Sequence, residues 1–396
     1  MEITLHLKQL VLLLLMACIA IVPLPTAGQV AMNWSKIDRH AQNAPKKWQQ
    51  DLPLLTQYLT EATANDFEKV RAIYRWITLN ISYDTAVLDG DQKRINKNIS
   101  DILARQKAIC MGYADLFKKM CELAGLSAQI IDGYSKGTLT SKPDLSTPDH
   151  SWNAVLINKQ WYLIDATWGS SLLQQNPDFT TLTEDYFLSS PDQFILTHLP
   201  AMPMWQLLEC PISTNIYKEN MDSIKLYLQS CTNTFVYQDS IKHFLALTPP
   251  EQRLQAAAIA YHFNQTPKNK QAWGHALMDF AGILSDSIDL FQPSSQLAEI
   301  IDLQEKIIHL CETAHTHISM HQWQKELYAG AIINLVVARF QQAQTLDPPP
   351  PNLWEDLINM LETAKAILQT ATDSYFTQMA SKQCAEYIAV LKDYAR

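Results

Sequence analysis

A cysteine at the start of a predicted helix is the first candidate for chemistry. After Cys110, apolar residues recur at helical spacing until Gly125 gives a stop signal; they are Tyr113, Leu116, Phe117, Met120, Cys121 and Ala124. A thiol at a helix N-terminus lies at the positive end of the helix dipole, which favours the nucleophilic thiolate. A structural cysteine would have the same apolar neighbours, so Cys110 alone does not decide between a nucleophile and a core residue.

Two strand-like runs downstream, residues 150–157 and 160–167, flank a connection of two residues and are predicted to form an antiparallel hairpin. In that register Trp152 faces Asp165. His150 then lies diagonal to Asp165 on the same face, with the backbones about 7–8 Å apart. A three-residue loop would shift the register and separate them. The hairpin therefore predicts an imidazole beside a carboxylate.

Cys110, His150 and Asp165 are together the components of a Cys-His-Asp acyl-transfer site. The thiolate would attack a carbonyl carbon, and the imidazole would hold and return the proton. The carboxylate would orient the ring and stabilise its charged form. The backbone N–H of Cys110 could stabilise an oxyanion. The second oxyanion donor stays open, with Trp76 and Tyr83 as candidates.

Two other carboxylates compete for the orienting role. Asp144 and Asp149 lie in the polar segment just before the first strand of the hairpin, close to His150 in sequence. The hairpin register favours Asp165, because only that carboxylate is placed on the same strand face as the imidazole.

Residues from Asp66 to about Leu208 resemble the transglutaminase-like superfamily, the papain-fold group of thiol acyl transferases and peptidases. The histidine follows the cysteine by 40 positions and the aspartate follows the histidine by 15. The matching motifs are VRAIYRWI at 70–77, NISYD at 80–84, CMGYA at 110–114, AGL at 124–126, DGY at 132–134, HSWN at 150–153 and WYLIDATWG at 161–169. Three further motifs resemble the kyphoscoliosis-peptidase-like and cytokinesis-associated branch: DYFL at 185–188, THLP at 197–200 and WQLL at 205–208.

The resemblance implies a papain-like α+β core and a role for each motif residue. Cys110 would be the nucleophile, His150 the base and Asp165 the residue that orients it. Tyr113 and Trp152 are predicted to contact the substrate, with Trp152 as part of the wall of the site. Some members of the cytokinesis branch lack the full triad and act as binding modules, whereas this chain has all three residues.

The first 28 residues are predicted to be a signal peptide. Lys8 precedes an apolar run over residues 10–22, a stretch of 13 residues that is short for a bilayer span but typical of a signal-peptide core. The sequence LMAC at 15–18 also resembles a lipoprotein box that would lipidate Cys18 and anchor the chain to a membrane, although the apolar run continues beyond it. We therefore expect an exported protein, either periplasmic or secreted.

Export would bring the cysteines into an oxidising compartment. Of the seven cysteines, five remain when Cys18 is removed and Cys110 is kept as a free thiol, so at least one more stays unpaired. Cys121 lies about three helical turns after Cys110 and is predicted to be an inert core residue.

Charge and motifs narrow the class of partner. The formal net charge of −9 argues against nucleic acid, whose phosphates require clustered Lys and Arg. There is no dinucleotide fingerprint, P-loop or HExxH motif, so no metal or organic cofactor is implied and a protein or peptide substrate is expected. Residues 309–321 carry four histidines and a cysteine, but the i,i+4 pairs point about 200° apart, which favours an ordinary helix over a metal centre.

The chain divides into four predicted parts. They are a signal peptide (1–28), a helical lead-in (29–64), a transglutaminase-like catalytic domain (65–211) and an all-α domain (212–396). The predicted function is an exported thiol enzyme that acts on protein or peptide amides by hydrolysis, deamidation or transamidation. The alternative is a non-catalytic scaffold whose helical domain binds a protein partner.

Overall fold

A four-stranded antiparallel sheet with helices around it and a long helical C-terminal part make this an α+β protein, as predicted. The computed structural model describes residues 33–88, 98–136, 143–170, 184–232, 234–288, 297–346 and 348–395. The predicted signal peptide and Cys18 lie outside the described residues. No helix within the described ranges is long and apolar enough to cross a membrane.

The elements follow one another in chain order. The first helices are α1 (Ser35–Gln42), α2 (Leu52–Glu61), α3 (Asp66–Asn80), α4 (Thr85–Leu88), α5 (Ile99–Arg105) and α6 (Cys110–Leu123). The strands are β1 (Ser82–Tyr83), β2 (Lys107–Ala108), β3 (Ser127–Ser135), β4 (His150–Ile157), β5 (Gln160–Ile164) and β6 (His198–Pro200). The later helices are α7 (Pro191–Phe194), α8 (Thr214–Tyr217), α9 (Met221–Ser230), α10 (Tyr237–Leu245), α11 (Pro249–Phe263), α12 (Pro267–Asp286), α13 (Leu297–His315), α14 (Gln322–Ala343), α15 (Leu353–Gln369) and α16 (Tyr375–Tyr394).

Local sequence signals set the two helices that flank the site. The side chain of Asn65 caps α3 by accepting the backbone N–H of Glu68 at 3.0 Å. Helix α6 begins at Cys110 and is followed by Gly125, whose φ of 76° is a left-handed conformation that glycine adopts without strain. The predicted apolar stripe of α6 is buried: Tyr113, Leu116, Phe117, Met120 and Cys121.

The sheet has the strand order β5-β4-β3-β6. The hairpin register is confirmed, because Ile157 pairs with Gln160 and Asn153 with Ile164. Both residues of the connection, Asn158 and Lys159, have positive φ, as the mirror-image turns of two-residue hairpins require.

Strand β6 lies within residues 182–208, where Pro191, Pro200 and Pro203 predict that no long element forms. It has only three residues, too few to show a period-two pattern, yet it pairs with β3 through Ser135 and His198 and through Gly133 and Pro200. A β-carbon on Gly133 would lie 2.3 Å from the carbonyl oxygen of Leu199, so this close pairing requires glycine.

The C-terminal helices α11 to α16 pack each against the next, and their cores consist of apolar stripes. Helices α8 to α10 behave differently, since Tyr217, Ile224 and Ile241 are buried in the clusters that cover the sheet. The change in packing therefore comes near residue 248, downstream of the boundary predicted near residue 212; the domain limits themselves remain predictions. Cys210 and Cys231 form a disulfide within this sheet-covering segment.

Candidate active site

Cys110 is partly buried at the first position of α6. Ile109 is the N-cap residue, and within the described chain no side chain caps this end of the helix. The first-turn N–H groups therefore keep their capacity to bind an anion, and the dipole favours negative charge on the sulfur. This is the placement that a nucleophilic thiol requires.

Tyr83 is held beside the cysteine by the two-stranded parallel sheet. Tyr83 on β1 pairs with Ala108 on β2, two residues before Cys110. The phenol oxygen interacts with the backbone N–H of Cys110, and burial together with the nearby thiol raises the pKa of Tyr83 to about 12. A phenol with such a pKa stays protonated at neutral pH and can donate its own O–H.

Asp165 is fully buried and accepts hydrogen bonds on both carboxylate oxygens. Oδ2 accepts from Nε2 of His150 at 2.7 Å. Oδ1 accepts the backbone N–H groups of Thr167 at 2.7 Å and Trp168 at 3.0 Å. Burial acts to raise the pKa of Asp165, but the charge and hydrogen bond of His150 outweigh it and hold the pKa well below its usual range.

His150 is buried between the carboxylate and the thiol. Its Nε2 binds Asp165, which leaves Nδ1 as the ring nitrogen available to the nearby side chain of Cys110. Burial acts to lower the pKa of His150, whereas Asp165 and then Cys110 raise it, to about 10. The three side chains thus form a continuous sequence of thiol, imidazole and carboxylate, with the imidazole protonated at neutral pH.

A second histidine, His198, also contacts Asp165. Its Nε2 lies 3.1 Å from Oδ2, the same oxygen that His150 binds. The sequence shows His198 only as part of the motif THLP and assigns it no role. The three-residue strand that carries it is too short to recognise, and its pairing with β3 is the feature that brings the ring to Asp165.

The comparisons with known families agree with this geometry. The transglutaminase-like superfamily matches residues 54–166, a segment that contains Cys110, His150 and Asp165. This chain carries a transglutaminase-like domain.

Relatives of that domain occur in several animals. Kyphoscoliosis peptidase of Homo sapiens is 41% identical over 192 residues, covering 48% of this chain and 29% of that protein. Hillarin of Drosophila melanogaster is 30% identical over 213 residues, covering 49% and 25%. A solved structure of a TGase is 16% identical over 38% of this chain and 36% of its own, with a TM-score of 0.25. The chain spans less than a third of the length of the curated relatives it matches.

The competing carboxylates of the transglutaminase-like domain are engaged elsewhere. Asp149 accepts the backbone N–H of Ser135 at 2.8 Å, and Asp144 accepts that of Ser146 at 2.8 Å. Of the side chains predicted to orient the imidazole, Asp165 is the one that the structure places on it.

The two residues predicted to contact substrate do not reach solvent. Tyr113 is 1% exposed and donates its hydroxyl to the carbonyl oxygen of Ile81 at 2.6 Å, while Trp152 is 1% exposed and packs beside His150. Both side chains are enclosed in the interior on α6 and β4, and a substrate contact for either one stays a prediction. Trp76, an oxyanion candidate, is also 1% exposed, which leaves Tyr83 as the better placed of the two.

His150, Asp165 and His198 are the one group among the described residues whose ligand atoms cluster closely enough for a metal ion, all lying within 4.8 Å. Each of these atoms already has a hydrogen-bond partner, and both histidines are directed at one carboxylate oxygen. The hydrogen bonds of these three side chains are satisfied by one another, so we interpret the group as part of the acid–base site instead of a metal site.

In the histidine-rich stretch 309–321, Cys311 is fully buried among apolar side chains.

A groove of about 570 Å³ lies between α5 and α6, and Cys110, His150 and Asp165 are not among the residues that line it. Ile109 and Met111, the sequence neighbours of Cys110, belong to its lining, as do Asp115, Lys118 and Lys119 farther along α6.

Proposed function

We propose that this protein is an exported thiol enzyme that transfers the acyl group of a protein or peptide amide to Cys110. The observation that carries the proposal is the buried His150 ring, which is hydrogen-bonded to Asp165 and has its pKa raised by both Asp165 and the nearby Cys110 thiol. An imidazolium that faces a thiol at a helix N-terminus is the arrangement that activates a cysteine nucleophile.

The proposed reaction proceeds through a thioester. The Cys110 thiolate attacks the amide carbonyl carbon, and the oxygen that becomes negative accepts hydrogen bonds from the Cys110 backbone N–H and from Tyr83. His150 donates its proton to the amide nitrogen, the C–N bond breaks and the amine leaves. Water or a second amine then gives a proton to His150 and attacks the thioester, and the C–S bond breaks to regenerate the thiolate.

Cys110 is partly buried and its neighbour Met111 is 39% exposed, which supports access of an amide substrate to the start of α6. Water and amine acceptors both fit the chemistry, so hydrolysis, deamidation and transamidation remain distinct forms of the same proposal.

The Cys210–Cys231 disulfide supports export, because disulfides persist in oxidising compartments. The other described cysteines, Cys121, Cys311 and Cys384, are buried free thiols, and burial raises the pKa of each above its usual range. One reactive thiol can therefore coexist with three inert ones.

Alkylation kinetics test the proposal. We expect iodoacetamide to label Cys110 in the folded protein at pH 6 at least tenfold faster than the same residue in the urea-unfolded chain, with peptide mapping to separate the sites. The matched control is His150→Ala, which should remove the difference. Equal rates for folded and unfolded Cys110 would contradict the enzymatic proposal and favour the non-catalytic scaffold.

The acceptor is identified by mass. A peptide library that contains Gln, Lys and ordinary backbone amides is incubated with the wild type and with Cys110→Ala. Cleavage indicates peptide hydrolysis, a gain of about one dalton indicates deamidation, and a cross-link indicates transamidation. Full biological function of Cys110→Ala would support the scaffold.

A further inference from the structure

We propose that His198 is a positioning residue of this site: a permanently neutral imidazole that holds the Asp165 carboxylate in the orientation His150 needs. The inference rests on the proposed function and assigns a role to a residue outside the predicted triad. Its basis is the geometry, in which Asp165 Oδ2 lies 2.7 Å from Nε2 of His150 and 3.1 Å from Nε2 of His198.

His198 has two polar contacts. Nε2 carries a hydrogen, because the ionised carboxylate of Asp165 can only accept, and Nδ1 lies 2.7 Å from the hydroxyl of Thr197, which can donate to it or accept from it. In the proposed neutral form Nδ1 accepts from Thr197. A single N–H satisfies the carboxylate without adding a charge. Burial is the largest influence on the pKa of His198 and lowers it to about 4.

The ring of His198 is shielded from water, and its charged neighbours are Asp165 and the His150 ring, which lies at 5.4 Å between ring centroids. The ring is 0% exposed, and its neighbours are aromatic: Trp152 at 5.1 Å, Trp168 at 4.5 Å, Tyr186 at 5.7 Å and Phe194 at 4.2 Å between ring centroids. An apolar ring would fill this space at no desolvation penalty, whereas a buried imidazole needs hydrogen-bond partners to be tolerated. The choice of histidine is therefore explained by the bond to Asp165.

The two histidines contribute differently to the binding of one carboxylate: both donate a hydrogen bond, and His150 alone carries a positive charge. Asp165 accepts four hydrogen bonds, two on each oxygen, so it stays ionised and cannot rotate. Because His198 remains neutral, the negative charge is balanced by His150 alone. Removing the His198 donor would free Oδ2 to move and would weaken the stabilisation of the His150 imidazolium, and with it the thiolate.

Other titratable groups face the triad from several elements. Burial raises the pKa of four phenols above the usual range: Tyr74 from α3, Tyr83 from β1, Tyr113 from α6 and Tyr186 from the segment before α7. Asp149, just before β4, is the remaining carboxylate that faces His150, and burial raises its pKa above the usual range.

Histidine NMR titration tests the inference without any substrate. Wild-type His198 is expected to show the Nε2–H neutral form from pH 5 to 8. In His198→Leu we expect the pKa of His150 to fall by at least one unit, and in His198→Gln, which keeps an N–H donor, to recover most of that loss. Phe187→Leu, which replaces a buried aromatic side chain that packs on Tyr74, is the control and should leave the pKa of His150 unchanged.

Alkylation of Cys110 measures the consequence for the thiol. His198→Leu should lower the iodoacetamide rate at pH 6 about tenfold and move the acid limb to higher pH, with recovery in His198→Gln. An Nδ1–H or protonated His198 at pH 7, or an unchanged His150 pKa in His198→Leu, would overturn the inference while leaving the proposed enzyme intact. An ordinary thiol profile in the wild type, together with the expected His150 shift, would instead overturn the enzyme and keep the positioning role.

Discussion

The region around the sheet and the helices α13 to α16 bury different kinds of side chain. The sheet region encloses polar groups such as Arg71, Asn153, Asp165 and His198, each less than 2% exposed. In α13 to α16 the described buried polar residues are Gln304, Gln324 and Thr377, and the interior is otherwise aliphatic and aromatic. In the first region, burying polar groups costs folding free energy and fixes the geometry of the site. In the second region, apolar packing stabilises the fold.

Buried polar groups in the sheet region join separate elements. The side-chain amide of Asn153 donates to the backbone carbonyls of Ala114 on α6 and Gln129 on β3, at 3.1 and 3.2 Å. These bonds fix the helix that carries Cys110 against the strand that carries His150. A shift of either element would leave the amide unsatisfied, so the network specifies the distance between thiol and imidazole.

A second network of buried polar groups connects α1 and α3 to the segment that binds the backbone of Asp165. Arg71 and Arg75 on α3 both form ion pairs with Asp38 on α1 and with Glu184. Two residues beyond Glu184, the carbonyl oxygen of Tyr186 accepts the backbone N–H of Asp165 at 3.0 Å. Helix α1 is thereby connected to the backbone of Asp165.

Replacing a cysteine in each region gives the sharpest contrast. Cys110→Ala should reduce turnover by at least a thousandfold with little effect on the free energy of unfolding, because the partly buried sulfur contributes chemistry more than packing. Cys384→Ala, fully buried in α16, should leave turnover unchanged and lower the free energy of unfolding by about 1 kcal/mol. Single-turnover kinetics and urea unfolding measure the two effects, and activity in Cys110→Ala would remove the basis of the comparison.

Asp165→Asn should reduce turnover by about 10³–10⁴-fold, the size of effect known for the orienting aspartate of a Ser-His-Asp triad. An amide at this position cannot accept from both histidines on Oδ2 and both backbone N–H groups on Oδ1, so the His150 ring loses its orientation. Ser189→Ala, a buried position whose backbone pairs with Leu163 of β5, serves as the control with unchanged turnover. A loss below tenfold in Asp165→Asn would show that the buried carboxylate is structural.

The parts of the site that follow from local patterns were predictable. Helical spacing placed Cys110 on α6, and a two-residue turn fixed the hairpin that brings His150 and Asp165 together. His198 was beyond such reasoning because it approaches from β6, 33 positions after Asp165, through a pairing that depends on Gly133. Long-range placement of a three-residue strand has no periodic signature in sequence.

Burial was the other quantity that sequence could not supply. Tyr113 and Trp152 are large and adjacent to motif residues, yet β-strand alternation and helical spacing give only a face and do not say whether that face is the cleft or the core. Both side chains lie in the interior, 1% exposed. In the helical region the same rules sufficed: helical patterns predict helices over residues 268–291, 296–317, 321–346, 353–370 and 374–394, and α12 to α16 lie there with their ends shifted by a few residues within the described ranges.

Cavity formation in the helical region should affect stability and leave chemistry unchanged. Leu361 on α15 is fully buried among α14 and α16 side chains, and Leu361→Ala is expected to lower the free energy of unfolding by about 2–4 kcal/mol. Turnover at 20 °C should stay within twofold of the wild type. Ile131→Ala is the matched substitution in the sheet region, where Ile131 on β3 pairs with Trp152 on β4. It should lower stability and turnover together. Equal turnover in the two variants would mean that packing beneath the site does not control its geometry.

The smallest expected effect is a pH dependence of stability that belongs to the sheet region. The pKa of native His198 is lowered to about 4, whereas an unfolded histidine titrates near 6.5. As the pH falls from about 6.5 to 4, the unfolded chain therefore binds a proton that the native protein excludes, and stability falls by about 2–3 kcal/mol before levelling off. His198→Gln should flatten this part of the curve in urea unfolding measured at several pH values. His309→Gln, exposed on α13, should leave the curve unchanged. An equal flattening in both variants would show that the loss of stability is spread over surface histidines instead of arising at His198.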